Sequence, residues 1–406
     1  MLRTGDNTSV EALTFLQARE SVINTVRTAR RAPAVETVPL ESAHTRILAE
    51  VVAADRDTPA TSRSVRDGFA VRAIDLPGEL EIIGEVRAGD TFRGSVGPNQ
   101  AVEIMTGAPV PQGADAVVMI EHVTRAGALV RIDRSAEPGQ FINPLGCEAQ
   151  KGEAVLHPGE RLDYTGIALL AAFGRPQISV FAKPTVAIIP TGDEIVAVDE
   201  APLEHQIRNS NAHSLAAQVE RAGGIPRILP AARDTVEHTR DSIGRGLEAD
   251  LLLLSGGVSA GKYDVVEEVL AGFGARFYFD RVLIQPGQPL VFGAAAGKFF
   301  FGLPGNPSST MVTFEIFARA ALELLGGLEQ PTLHMPFARL TAEFHHRVGL
   351  TRFLPARLSA DGGSVTPVHW HGSGDIPALA RANAYLVADP DRANYPAGDW
   401  IQVLPK

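Results

Sequence analysis

Between residues 183 and 328 the chain alternates short apolar runs with amphipathic stretches, and this alternation constrains the fold more than any other feature. Residues 251–255 form a continuous apolar run, as a strand covered on both faces of a parallel sheet does. Residues 185–190, 225–230, 276–284, 290–292 and 299–303 read as further strands. Residues 211–222 read as a helix capped by Ser210 or Asn211 and stopped by Gly223-Gly224. Residues 235–247, 264–271 and 308–325 read as three more helices, the last of them long. The pattern predicts a doubly wound α/β domain over 183–329, a fold that binds ligands at the carboxyl ends of its strands.

The flanking segments have other periods. Residues 9–30 place Val10, Leu13, Leu16, Val22 and Val26 at helical spacing, with a start near Ser9. Residues 38–54 read as a second helical patch around Leu40, Ile47, Leu48 and Val51. Short strands punctuated by Gly and Pro follow, and after 148 the pattern returns to mixed strand and helix. The expected organisation is a discontinuous N-terminal helical and linker domain (1–50 with 148–182), into which a β-rich domain (51–147) is inserted. Residues 330–406 again read as strands and predict a β-barrel-like C-terminal domain. The fold class is α/β multidomain.

Composition narrows the partners. A formal net charge of -10 argues against broad nucleic-acid binding, which needs a basic face. It leaves room for a small anionic ligand held by backbone N–H groups. The longest apolar runs, such as 167–173, are too short to span a membrane. Glu11, Arg19, Glu20 and Arg27 interrupt the N-terminus, so no signal peptide is read there. Cys147 is the single cysteine, which excludes an intrachain disulfide and suits a reducing cytoplasm.

Several loops fall where an α/β domain places its ligand. Pro190-Thr191-Gly192-Asp193-Glu194 follows a strand, and its acid pair suits a magnesium ion or a general base, or is simply a solvated turn. Residues 255–264, SGGVSAGKYD, join a buried strand to a helix. Their glycines let backbone N–H groups approach a phosphate, and Asp264 either caps the helix or holds a metal. Residues 285–289, QPGQP, form a rigid turn that presents two amide side chains. Residues 302–309, GLPGNPSS, lead into the long helix, which Asn306 or Ser308 can cap. Outside this domain, residues 64–70 read as a compact surface turn and 105–118 as a turn-rich surface loop ending in a strand.

Taken together, SVRDGFAV, IMTGAPVPQGADAVV, PTGDEIV, IRNSNAHSL, LLLLSGGVSAGKYD, PGQP, GLPGNPSS and HGSGDIPALARAN resemble, in order, the motifs of the molybdopterin molybdenumtransferase (gephyrin E-domain-like) family. The resemblance covers about residues 10–405. It implies insertion of molybdate into adenylylated molybdopterin with release of AMP, with Mg2+ as the ion. It also implies a homodimer whose cleft is shared between subunits. Carried over by motif, Glu194, Asp234 and Asp264 would serve magnesium and hydrolysis. Asp67 (catalytic) and Thr106 (cofactor-binding) would face the cleft from the partner subunit. Gly256, Gly257 and Ser259 would hold phosphate or pterin, with Gln285, Gln288, Pro304 and Asn306 beside them. Ser309 and Ser373 would lie near molybdate. The family usually reads KPGKP where this chain has Gln285 and Gln288, and it often has Arg where Pro355 stands. Arg281, Arg352 and Arg357 are the nearest substitutes for the missing cations. Other readings of the same motifs are an adenylyltransferase or nucleotide pyrophosphatase on this α/β domain, and a non-catalytic or tungstate-selective paralogue.

Overall fold

The computed structural model describes residues 12–233, 235–256 and 263–406, without the side chains at 263 and 264. Its centre is a six-stranded sheet in the order Ile225–Ile228, Thr185–Pro190, Leu251–Ser255, Lys298–Leu303, Val291–Ala295, Arg276–Phe279. The first four strands run parallel, and Val291–Ala295 runs antiparallel to both its neighbours. Successive side chains of a strand point to opposite faces. Val186, Ile188, Leu251 and Leu253 accordingly enter one core cluster, while Ala187, Ile189, Leu252 and Leu254 enter another. Burial on both faces is the reason these strands carry no polar alternation.

Several elements depart from the sequence reading. The strand expected over 276–284 ends at Phe279, and Ile284–Gln285 leaves the sheet to pair with Thr351–Leu358 of the C-terminal domain. The helix expected from Asn211 starts at Ser210, and its cap is Asn209, whose side chain accepts from the Ala212 N–H at 3.1 Å. The long helix contains a π-helical turn, Phe314–Ala318, between Pro307–Thr313 and Arg319–Leu325. All five residues of that turn are buried.

At the N-terminus, a start near Ser9 lies outside the described residues. The described helix is Phe15–Ala29, opened by a capping box in which Thr14 and Gln17 satisfy each other's backbone N–H. Its apolar face, Phe15, Ala18, Val22 and Val26, packs into the core of the α/β domain and not against the linker. Arg19 on the same face donates to the Ile316 and Pro331 carbonyls at 2.6 and 3.2 Å. Burial, reinforced by Arg319, pushes its guanidinium down to about 10. Residues 38–54 are not a helix: they contain a 3-10 turn, Leu40–Ser42, and a strand, Val52–Ala53. Their backbone is satisfied by distant chain instead, with Leu48 N–H bonding Glu160 O and Ala49 N–H bonding Ser179 O. Leu48 and Val52 thereby join Leu162, Leu170, Phe173 and Val180 in the linker core.

The inserted domain is a six-stranded sheet ordered Ala116–Met119, Gly68–Val71, Gln100–Ile104, Gly78–Val86, Leu129–Ile132, Thr124–Ala126. Gly68 has no substitute here, because a Cβ would sit 1.9 Å from the Val118 carbonyl oxygen. In the C-terminal domain, Thr351–Leu358, Ser364–Pro367, Phe337–Leu340, Trp400–Pro405 and Ala384–Ala388 pair in sequence. The first and last of these also pair with each other and close a barrel. A short helix, Ile376–Arg381, was not foreseen; Asp375 caps it. Among the described residues no helix is long and apolar enough to cross a membrane.

Candidate functional site

The carboxyl ends of the parallel strands open into a cleft of about 450 Å³. Its walls come from segments 190–195, 255–256, 289 and 304–307, together with 207–211. The loops are clipped to one another by backbone bonds. Thr191 N–H donates to Ser255 O at 3.0 Å, and Gly256 N–H to Leu303 O at 3.1 Å. Gly256 has φ +97°, and a Cβ on it would lie 2.7 Å from the Thr191 carbonyl oxygen. Gly256→Ala is therefore expected to destabilise the protein by about 1–3 kcal/mol, measured by urea unfolding. At Gly192, φ +131°, a Cβ would lie 2.4 Å from Glu194 Oε2, so the glycine leaves space for that carboxylate to fold back over the loop.

Asn211 ties three walls together. Its Nδ2 donates to the Gly305 carbonyl at 2.7 Å and to Ser255 Oγ at 3.2 Å. A carbonyl oxygen only accepts, so this bond fixes which way the amide faces. The helix Ser210–Arg221 aims its first turn at the cleft. The N–H groups of a first helical turn lack intrahelical partners and carry partial positive charge, which suits an anion. Arg208 adds a full charge to the same wall; its Nε donates to the Glu200 carbonyl at 2.9 Å.

Of the residues singled out from the sequence, Glu194, Gly256, Pro304 and Asn306 line this one cleft. Asn306 holds the N-cap position, but its side chain makes no capping bond, contrary to expectation; Pro307 begins the helix. Ser309 is only 4% exposed and sits one step further in, its carbonyl accepting from Thr313 Oγ1 at 2.7 Å. Ser373 reaches the same helix from the C-terminal domain, where its carbonyl accepts from the Ser308 N–H at 2.9 Å. Gln285 and Gln288 are exposed on a turn whose Gly287 presses against Thr313 and Ser309, and only Pro289 of that turn reaches the cleft wall. The arginine on the cleft wall is Arg208, not Arg281, Arg352 or Arg357. Asp234, Gly257 and Ser259 lie outside the described residues, as does the side chain of Asp264, whose backbone begins the helix Tyr263–Gly272.

Asp67 and Thr106 meet each other but not this cleft. Thr106 donates to Asp67 Oδ1 through its N–H at 2.6 Å and its hydroxyl at 2.8 Å. These two bonds hold the Asp67 carboxyl below the usual carboxylate range. Thr106 lines a second cleft, between the inserted domain and Glu148 and Ala172 of the linker.

The sequence reading passed over Thr191, Arg208, Asn209, Asn211 and Ser255 as site residues. The IRNSNA string did carry a signal: asparagines beside a helix start are the residue type that caps and cross-links.

Residues 13–174 match the MoeA N-terminal region (domain I and II). Residues 187–324 match the "Probable molybdopterin binding domain", and 338–406 the MoeA C-terminal region (domain IV). The chain is 37% identical over 385 residues to the molybdopterin molybdenumtransferase of Bacillus subtilis, covering 91% of this chain and 89% of that protein. It is 31% identical over 405 residues to the Staphylococcus aureus (strain Mu50) molybdopterin molybdenumtransferase, covering 97% and 96%. The crystal structure of a molybdopterin biosynthesis MoeA protein from Pyrococcus horikoshii OT3 superposes with a TM-score of 0.81 at 28% identity, covering 98% of this chain and all (100%) of that one.

Proposed function

The chain belongs to the MoeA family of molybdopterin molybdenumtransferases, and from that membership we propose that it inserts molybdate into adenylylated molybdopterin, releasing AMP and yielding molybdenum cofactor. The observation that supports this reading is the convergence of Glu194, Arg208, Asn211 and Gly256 with a helix N-terminus in one 450 Å³ cleft. A dinucleotide-like pyrophosphate needs such a place: backbone N–H groups and a cation for its oxygens, and an acid for its hydrolysis. Water adds across the phosphoanhydride, AMP leaves, and the pterin keeps its own phosphate. The two dithiolene sulfurs then bind the metal in place of one molybdate oxygen, which leaves as water with the two thiol protons.

Magnesium binds oxygen ligands and usually takes one or two carboxylates plus substrate phosphates. Glu194 supplies one carboxylate on the cleft wall, folded over Gly192. This is the donor chemistry such an ion takes, and Asp234 and Asp264 are proposed to complete it. When bound, the ion would neutralise phosphate charge. Glu194 orients it, Arg208 and the Ser210–Arg221 helix start hold the anion, and Asn211 keeps the three loops in register. We further place Asp67 and Thr106 at the cleft of a partner subunit in a homodimer, and the protein in the cytoplasm. The match of the N- and C-terminal regions, outside the molybdopterin-binding domain, disfavours an adenylyltransferase working on that domain alone.

The test is turnover. Protein incubated with adenylylated molybdopterin, Mg2+ and molybdate is expected to release AMP in step with active cofactor. ATP-dependent adenylylation without metal insertion would reverse the assignment. Arg208→Gln is expected to raise KM for the adenylylated substrate roughly tenfold with a smaller change in kcat, because it removes an interaction made in ground and transition states alike.

A further inference from the structure

The helix Ser210–Arg221 presents its first turn to the cleft at the strand ends, and its other end is gripped by a buried acid outside that cleft. Asn211 and Gln218 lie two turns apart on one face of the helix, roughly 10 Å from each other. At the cleft end, Asn211 Nδ2 donates to the Gly305 carbonyl at 2.7 Å. At the far end, Gln218 Nε2 donates to the Met311 carbonyl at 3.1 Å, and Arg221 Nη2 to Glu315 Oε2 at 2.5 Å. Gln218 Nε2 also reaches Glu315 Oε2, at 3.5 Å. Glu315 is 5% exposed and belongs to the π-helical turn Phe314–Ala318; Arg319 Nε faces its other oxygen at 3.2 Å. Such a turn interrupts the regular helical ladder. Carbonyls in and beside it accept from side chains of other helices, Met311 O from Gln218 and Ile316 O from Arg19.

Apolar packing of Ala212, Leu215 and Val219 covers the helix, but burial is non-directional and does not aim it. The Asn211 tie alone is a pivot, and a second tie further along fixes the axis. A buried carboxylate persists only where it is paired and hydrogen-bonded, so it holds its partners to one geometry. We propose that Glu315 is a positioning residue for the cleft: from the π-helical turn it holds Gln218 and Arg221, and so sets where the helix aims its first-turn N–H groups and Arg208. The proposal rests on the reading that this cleft holds a phosphorylated substrate.

Calorimetric titration of the full-length protein with AMP tests it. Glu315→Met, close in volume but without acceptors, is expected to weaken AMP binding about tenfold at unchanged stoichiometry, because a small misplacement of the binding groups is costly. Arg221→Ala is expected to weaken it about threefold, and Arg221→Lys to restore it. A merely structural role gives the opposite signature, a lower stoichiometry at unchanged Kd, and that result overturns the proposal. If Glu315→Met does not fold, the Arg221 pair decides, since the Arg221 side chain is half exposed. Arg221→Ala with wild-type affinity, or Arg221→Lys no better than Arg221→Ala, overturns the proposal. Wild-type protein that does not bind AMP counts against the reading of the cleft, and amide hydrogen exchange over residues 210–217 then decides the role of Glu315. Exchange severalfold faster in Arg221→Ala and restored in Arg221→Lys supports it; equal exchange in all three proteins overturns it.

Discussion

Glu194→Gln is expected to lower AMP release about a hundredfold or more while leaving the melting temperature unchanged. The exchange is isosteric, so the fold over Gly192 and the clip from Thr191 to Ser255 remain. What is lost is the negative charge on the cleft wall. A carboxylate that orients a metal contributes chiefly to the transition state, so the loss should fall on kcat and kcat/KM together. The Mg2+ concentration for half-maximal activity should rise as well. Single-turnover AMP release, followed across a magnesium titration, reads both effects. Retention of wild-type release at every magnesium concentration would remove Glu194 from the proposed machinery.

The largest expected effect on stability belongs to Phe317→Ala, at about 3–5 kcal/mol. Phe317 is fully buried in the π-helical turn and meets Phe15 and Phe279 edge-on at 6.0 and 6.5 Å. Phe15 in turn meets Phe353 of the C-terminal barrel at 5.4 Å. This aromatic column fastens the N-terminal helix and the barrel to the α/β domain, and truncating its centre leaves a cavity that three rigid elements cannot close. Urea unfolding followed by tryptophan and far-ultraviolet signals measures the loss. Leu16→Ala on the outer face of the N-terminal helix, where Leu16 is 68% exposed, is the control and should change stability by less than about 0.5 kcal/mol. Equal effects at the two positions would mean that the column does not bind the domains together.

The local residue pattern alone specifies the strands at the centre of the molecule. Thr185–Pro190 and Leu251–Ser255 occur as read, because their residues are apolar on both faces and no other local structure suits that pattern. The same pattern places Gly256 and Pro304 directly after strands and Asn306 before a helix, since glycine and proline punctuate the chain locally. Residues 38–54 failed as a helix because their backbone partners are Glu160 and Ser179, more than a hundred residues away, and helical spacing reports only neighbours. Asn211 became a cross-tie only when folding brought Ser255 and Gly305 to it. Local propensity is written in a few adjacent side chains; which distant groups share a cleft is decided by how the strands pair and pack.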